Sequence, residues 1–210
     1  FGMVCALYEA RNSGQGQVVD AAMTDGSAAL MTMIYGLKAA GFWTDTPGTN
    51  LLDTGAHFYD TYETADNKFI AIGAIEPQFY KLLLKLGEIE DPDFQNQLDS
   101  SQWPRLKEKL SLVFKTKTRQ AWCEIMEGSD ICFAPVLSLS EAPEHPHNKQ
   151  RKTFIENEGV LQPAPAPRFS RTKPELKGPP PIPGQDTETV LTEFGFTTQE
   201  IESLKASQTI

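Results

Sequence analysis

Histidine and cysteine, the commonest residues at metal and nucleophilic centres, are scarce here, with three of each in 210 residues. Cys5, Cys123 and Cys132 show no Cys-x-x-Cys spacing, which argues against zinc ribbons and thioredoxin-like redox sites. An odd number in apolar contexts reads as buried, reduced thiols of an intracellular protein. No basic neighbour would lower a thiol pKa, and no Gly-x-Ser-x-Gly elbow is present. His145 and His147 stand near Glu144 like a ligand pair, but Pro146 separates them and no further ligand completes a set. No metal is therefore expected. His57 has no acid paired with it in the sequence.

Positive charge is also in deficit. Nineteen Lys and Arg face 28 Asp and Glu, for a net charge of -9 and a pI of about 4.9. Such a surface repels phosphate backbones, so nucleic acid is not an expected partner. A local basic patch can still hold an anionic group such as CoA or a nucleotide. No apolar run reaches the roughly 18 residues of a membrane span, so no membrane association is expected, and the opening residues do not read as a signal peptide. Phe1 begins at once on a helical face, and the expectation is a chain that lacks an upstream part.

What is present is a chain 40% hydrophobic, enough for a sizeable core in one domain or two small ones. Residues 1–11 read as a helix with Val4, Leu7 and Tyr8 on a packed face. "NSGQGQ" (12–17) is a turn, and "VVDAAM" (18–23) reads as a short buried strand. The glycines of that turn precede a strand, whereas phosphate loops follow one, so a plain turn is the better reading. Thr24 or Asp25 would cap a long helix ending at Gly41. Helix, turn, strand and helix in this order make an α/β domain.

Residues 42–57 carry turn formers and little periodicity, which suits a linker or an active-site loop. "FYDTYET" (58–64) and "FIAIGAI" (69–75) read as a hairpin about "ADNK", with Asn67 tolerant of positive φ. Pro77 starts a helix through Leu86. Further helices fall at 101–115 and 118–127, the second capped by Thr118 with Trp122, Ile125 and Met126 inward, and "ICFAPVL" (131–137) is a strand. An irregular connector spans 138–151, and 152–160 holds a last strand. Eight of the fifteen prolines lie in 161–185, an extended strap. Two short helices broken at Gly195 end the chain, with Asp186 and Thr197 or Thr198 as caps and Glu200 in capping-box relation to Thr197.

One carboxylate invites a functional reading. Glu76, in "AIGAIEPQFY", sits at a strand end before Pro77, preceded by the small residues Gly73 and Ala74. Strand ends are where α/β folds present working side chains, and small residues let a ligand approach. The structural alternative is a carboxylate stabilised by the helix N-terminus, worth about 0.3–1 kcal/mol. Both stay open on the residues alone.

The segments "SGQGQVVDAAMTDG", "FYDTYETADNKFIAIGAIEPQFY", "CFAPVLSLSEAPEHPHNKQR" and "PPPIPGQDTETVLTEFGF" resemble, in order and over the whole chain, the α-methylacyl-CoA racemases. These form a branch of the family III CoA-transferase (CaiB/BaiF-type) superfamily. The resemblance implies an isomerase that interconverts R and S 2-methyl-branched acyl-CoA thioesters in lipid metabolism. An α-proton leaves one face and returns on the other through an enolate. It implies no cofactor, since coenzyme A is part of the substrate. Two acid/base groups flank the α-carbon, a histidine supported by a glutamate and an aspartate. The glutamate matches Glu76. The histidine and aspartate belong to a segment before Phe1, so His57 is not promoted to that role, and this chain alone is expected to be inactive. Tyr59 and Asp60, with Gly73 and Ala74, are expected near the substrate. A CoA-transferase of the same superfamily, or a catalytically silent module, are the alternatives.

The resemblance also implies the architecture: part of a large α/β, Rossmann-like domain plus a smaller α+β domain, joined by long linkers in an interlocked homodimer. Residues 1–41 would finish the large domain, 42–57 form a linker, and 58–150 the small domain. Residues 151–185 would make the return linker, and 186–210 would dock on the large domain. The ending "ASQTI" is not a peroxisomal tripeptide, which suggests the cytoplasm, or a peroxisome or mitochondrion in a eukaryotic source.

Overall fold

The computed structural model describes residues 1–176 and 178–210. They form two compact units, Phe1–Val136 and Leu137–Ile210. Mixed α and β elements occur in both.

In the first unit, the hairpin pairs β1 (Tyr59–Glu63) with β2 (Phe69–Gly73), and Asn67 adopts φ 55° in the turn. Asparagine tolerates that left-handed geometry, as the sequence suggests. β3 (Phe133–Val136) adds antiparallel to the other edge of β2, giving the order β1-β2-β3. The register sets Tyr62 opposite Ile70 and Asp60 opposite Ile72. Alternation then sends Tyr62, Ile70 and Ile72 into the core, and leaves Tyr59, Thr61, Ala71, Gly73 and Ala134 on the other face.

Three amphipathic helices complete that core. α4 (Pro77–Leu86) buries Tyr80 and Leu83. α5 (Trp103–Phe114) buries Trp103, Leu106, Leu110 and Phe114 at helical spacing. α6 (Arg119–Met126) buries Trp122 and Met126, and its Thr118 cap accepts from the Ala121 amide. Truncating a fully buried leucine such as Leu106 would cost about 2–5 kcal/mol. Aromatic edges interlock throughout. Ring centroids lie 5.9 Å apart for Phe58 and Trp103, and 5.2 Å apart for Phe114 and Trp122.

A polar chain runs through this core. Tyr80 Oη donates to the Phe94 carbonyl (3.0 Å). Its single proton is thereby used. His57 Nε2, 2.8 Å away, is therefore the donor to Tyr80 Oη. Tyr62 Oη donates to the His57 carbonyl (2.6 Å). His57 is fully buried, and its Nδ1 has no partner among the described residues. Burial drives its pKa down from 6.5 to about 4.

Several expectations need correction. Residues 18–22 are not a strand; no partner strand lies beside them among the described residues, and Val18 is 93% exposed. The long helix is two, α2 (Met23–Leu30) and α3 (Thr32–Ala39), with Met31 between them at φ -81° and ψ 1°; Thr24 and Asp25 lie inside α2 rather than capping it. α1 (Gly2–Ser13) forms, but Val4, Leu7 and Tyr8 are exposed. Among the described residues, no side chain of α1, α2 or α3 is buried, because their apolar faces have nothing to pack against. The cysteines are not buried: Cys5 and Cys132 are exposed and Cys123 is half-buried.

In the second unit, α7 (Pro146–Arg151) leads into a hairpin of β4 (Phe154–Asn157) and β5 (Val160–Pro163). β5 lies where only an extended strap was expected, since Gly159 at φ 79° lets the chain turn back. α8 (Thr187–Glu193) and α9 (Thr198–Ala206) follow. The Thr197–Glu200 capping box forms as read, Asp186 caps α8 without a side-chain bond, and Ile201 is buried. Among the described residues no helix is long and apolar enough to cross a membrane.

His57 makes stability depend on pH. Its folded pKa lies below the unfolded value, so the unfolded chain takes the proton first. This contribution is intact above pH 6.5 and falls as pH drops toward 4. The full loss amounts to about 3 kcal/mol. Urea midpoints measured between these limits should fall for the parent protein. The fall should be shallower in His57→Gln, which has no imidazole to protonate.

Candidate active site

Glu76 stands at the joint between β2 and α4, and its position follows from several local bonds. The Ile75 amide bonds back to the Gly73 carbonyl (2.9 Å), a tight turn that ends the strand. Pro77 then takes the first helical position, where its missing N–H costs nothing. The Glu76 carbonyl accepts from the Tyr80 amide (3.0 Å), which opens the helix. The Glu76 backbone is the N-cap, at φ -72° and ψ 143°, but its side chain makes no capping hydrogen bond. The carboxylate is exposed. A helix-capping duty therefore does not account for this side chain.

Gln97 clamps the joint from outside. Its Nε2 donates to both the Ala74 (3.0 Å) and Ile75 (2.8 Å) carbonyls, and its own carbonyl accepts from Trp103 Nε1 (2.9 Å). Sequence reading missed Gln97, because its partners lie far back in the chain and no local pattern marks it.

Beside the joint lies an open groove of about 480 Å3 over the free face of the three-stranded sheet. Tyr59, Asp60, Gly73, Ala71, Cys132 and Ala134 are among its lining. The Tyr59 ring lies over its cross-strand partner Gly73. A Cβ added at Gly73 would meet that ring at 3.5 Å and Cys132 Cβ at 3.7 Å. Gly73 thus leaves the floor low and the ring seated. Partial burial, then the negative charges of Glu76 and Asp130, raise the Cys132 thiol pKa.

Asp60 is not idle. Lys107 Nζ bridges its carboxylate (2.5 Å) and the Thr54 carbonyl (2.5 Å), and Asp60 also accepts from the Thr61 amide (2.7 Å). Its side chain is 13% exposed. Thr54 belongs to a loop held by Asn50 and Asp53: Asn50 N–H donates to Asp53 (2.7 Å), and Asn50 Nδ2 does so too (2.6 Å). Gly55 passes so close that a Cβ would lie 2.4 Å from the Asn50 carbonyl oxygen. Residues 42–57 therefore hold an ordered wall next to the groove rather than a slack tether.

Of the sequence candidates, Tyr59, Asp60 and Gly73 line this groove, whereas Glu76, at the joint beyond Gly73, is not among its lining residues. Ala74 is fully buried, and its methyl joins the core. His57 is buried behind the sheet, and His145 and His147 lie in the second unit. Among the described residues no group of His, Cys, Asp or Glu is disposed to hold a metal ion. Chemically, the groove offers a low apolar floor, the Asp60 carboxylate paired with Lys107 and no imidazole among its lining. It can seat a small or apolar group.

An antiparallel sheet backed by helices is a mixed α/β arrangement that several solved structures share. A CaiB/BaiF family protein from Brucella suis superposes with a TM-score of 0.65 at 19% identity, covering 91% of this chain and 51% of that one. Rv3272 of Mycobacterium tuberculosis gives 0.67 at 19%, covering 89% and 49%. Residues 1–187 match CoA-transferase family III, and the chain belongs to that family. Within it, the chain is similar to the α-methylacyl-CoA racemases of mouse (44% identical) and human (42%), in each case over 100% of this chain and 55% of the relative. The chain thus spans about half the length of the curated relatives it matches.

Gln97→Ala should unpin the joint. Two carbonyls lose a donor, and the expected cost is about 1–2 kcal/mol, read as a lower urea midpoint. Glu76→Gln removes no protein contact of this kind and should leave the midpoint where it was.

Proposed function

We propose that the protein carrying this chain epimerises 2-methyl-branched acyl-CoA thioesters, with Glu76 in its proton-transfer machinery. One observation carries the reading: an exposed carboxylate, not used in capping, at the joint between β2 and α4, in a chain that is 42–44% identical to named racemases throughout its length.

The chemistry fits these residue types. The thioester carbonyl acidifies the α-carbon, so no redox or organic cofactor is called for. A base takes the α-proton, and the C–H electron pair moves into the carbonyl to form an enolate. A second group delivers a proton to the opposite face and re-forms the thioester carbonyl. Glu76 is suited to orient an imidazole and stabilise its charged form, which raises the imidazole pKa. By the family resemblance, that imidazole and the second acid/base group, an aspartate, would lie outside these 210 residues. A homodimer is part of this proposal. Each groove would face a large domain of the partner subunit, with 58–150 as the small domain and 1–41 as the end of the large one. Residues 42–57 and 151–185 would be the linkers, and 186–210 would dock on the large domain. The cytoplasm is the proposed compartment, with the peroxisome or mitochondrion in a eukaryotic source.

In the whole protein, Glu76→Gln should slow exchange of the substrate α-proton with deuterium oxide by about 100-fold or more, with KM little changed. Unaltered exchange would strip Glu76 of this role. The present chain alone should show no epimerisation. The family name also admits a second reading, transfer of CoA between acids. Incubation of the whole protein with an acyl-CoA and a free acid acceptor tests it: appearance of the acceptor's CoA thioester would replace epimerisation with transfer.

A further inference from the structure

Glu76 has an exposed side chain that makes no capping hydrogen bond, so its aim is set by the backbone that carries it. That backbone is held on both sides. After Glu76, the Pro77 ring restricts it to extended geometry, seen as φ -72° and ψ 143°, and the Tyr80 amide takes its carbonyl (3.0 Å). Before Glu76, the hold comes from Gln97. The Ile75 carbonyl belongs to the same planar peptide as the Glu76 nitrogen. Gln97 Nε2 donates to that carbonyl (2.8 Å) and to the Ala74 carbonyl (3.0 Å). One side chain thus pins two successive peptide planes, and the second of them ends on the Glu76 Cα.

Gln97 is itself anchored to the core. Its backbone carbonyl accepts from Trp103 Nε1 (2.9 Å), and three residues earlier the Phe94 carbonyl accepts from Tyr80 Oη (3.0 Å). Trp103 and Phe94 are both buried. Tyr80 therefore acts twice at this joint. Its amide holds the carbonyl after Glu76, and its hydroxyl anchors the segment that brings Gln97 to the carbonyl before it. The residue type fits as well. A primary amide offers two N–H groups on one nitrogen, one for each carbonyl. A lysine or arginine would donate too, but its charge would compete for a carboxylate one residue away. A neutral donor pins the backbone and leaves the charge of Glu76 for another partner.

We propose that Gln97 is a positioning residue for proton transfer: it fixes the direction from which Glu76 meets the imidazole it orients. This rests on the epimerase reading of Glu76 given above. A misplacement of about 1 Å can cost about 100-fold in rate, so a loosened joint shows in turnover before it shows in substrate binding. Moving the carboxylate away also removes the charge that holds the imidazole pKa up.

The test uses the whole protein and exchange of the substrate α-proton with deuterium oxide. Gln97→Met keeps an unbranched side chain of similar bulk and removes both donors. It should lower kcat about tenfold with KM little changed, and the limb of the pH profile that reports the imidazole should move to lower pH. Circular dichroism at the assay temperature should show the fold unchanged. Added to Glu76→Gln, it should bring no further loss, because a residue that acts through Glu76 then has nothing left to position. Unaltered kcat in Gln97→Met beside an impaired Glu76→Gln would overturn the proposal and leave the epimerase reading standing. So would a loss that persists in full in the Glu76→Gln background, or a raised KM with kcat unchanged. Unaltered exchange in Glu76→Gln would remove the epimerase reading, and this proposal with it.

Discussion

Tyr80 has one proton to give, and where it goes organises the first unit. It bonds the Phe94 carbonyl, which obliges His57 to donate from Nε2, while Tyr62 bonds the His57 backbone. Separate pieces of chain are tied by these bonds: β1, the segment entering it, α4 and the turn at Pro92–Gln95. Each partner is buried, so a broken link would leave an unsatisfied polar group costing about 1–3 kcal/mol. Tyr80 lies one turn along α4 from Glu76. Fixing Tyr80 therefore fixes the direction in which the helix leaves the strand, and with it the place of Glu76 at the joint.

Local chemistry was legible in the sequence where neighbours decide the outcome. Asn67 in the hairpin turn, Pro77 at the start of α4, the Thr118 cap and the Thr197–Glu200 capping box are all settled within a turn of themselves. What depends on distant partners was not legible. "VVDAAM" has the composition of a buried strand, yet a strand needs another to bond with. The faces of α1–α3 have the spacing of packed helices, but spacing does not supply the surface that covers them. Lys107 and Gln97 reach across the fold to Asp60 and to the Ala74 and Ile75 carbonyls, and nothing near them in the chain announces it. Its place at a strand end before Pro77 singled out Glu76, and the family resemblance gave it a role; the structure adds that its side chain is not used up in capping.

The two grooves differ in kind. The sheet groove is low, built from small residues, and has charge at its edge, so shape decides what it can hold. The groove in the second unit is lined by charge of both signs, Arg151, Lys152, Arg168 and Lys173 with Glu156 and Glu175.

The placement of the tryptophans has a consequence for optical work. Trp43, Trp103 and Trp122, and all five tyrosines, lie in the first unit, whereas the second unit, from Leu137 onward, contains neither type. Near-ultraviolet absorbance, emission and near-ultraviolet dichroism above the phenylalanine band are thus reporters of one half of the molecule. A melting curve recorded by fluorescence describes Phe1–Val136 and is blind to the hairpin and terminal helices. If the halves lose structure under different conditions, the amide signal will show a step to which the indole signal is silent.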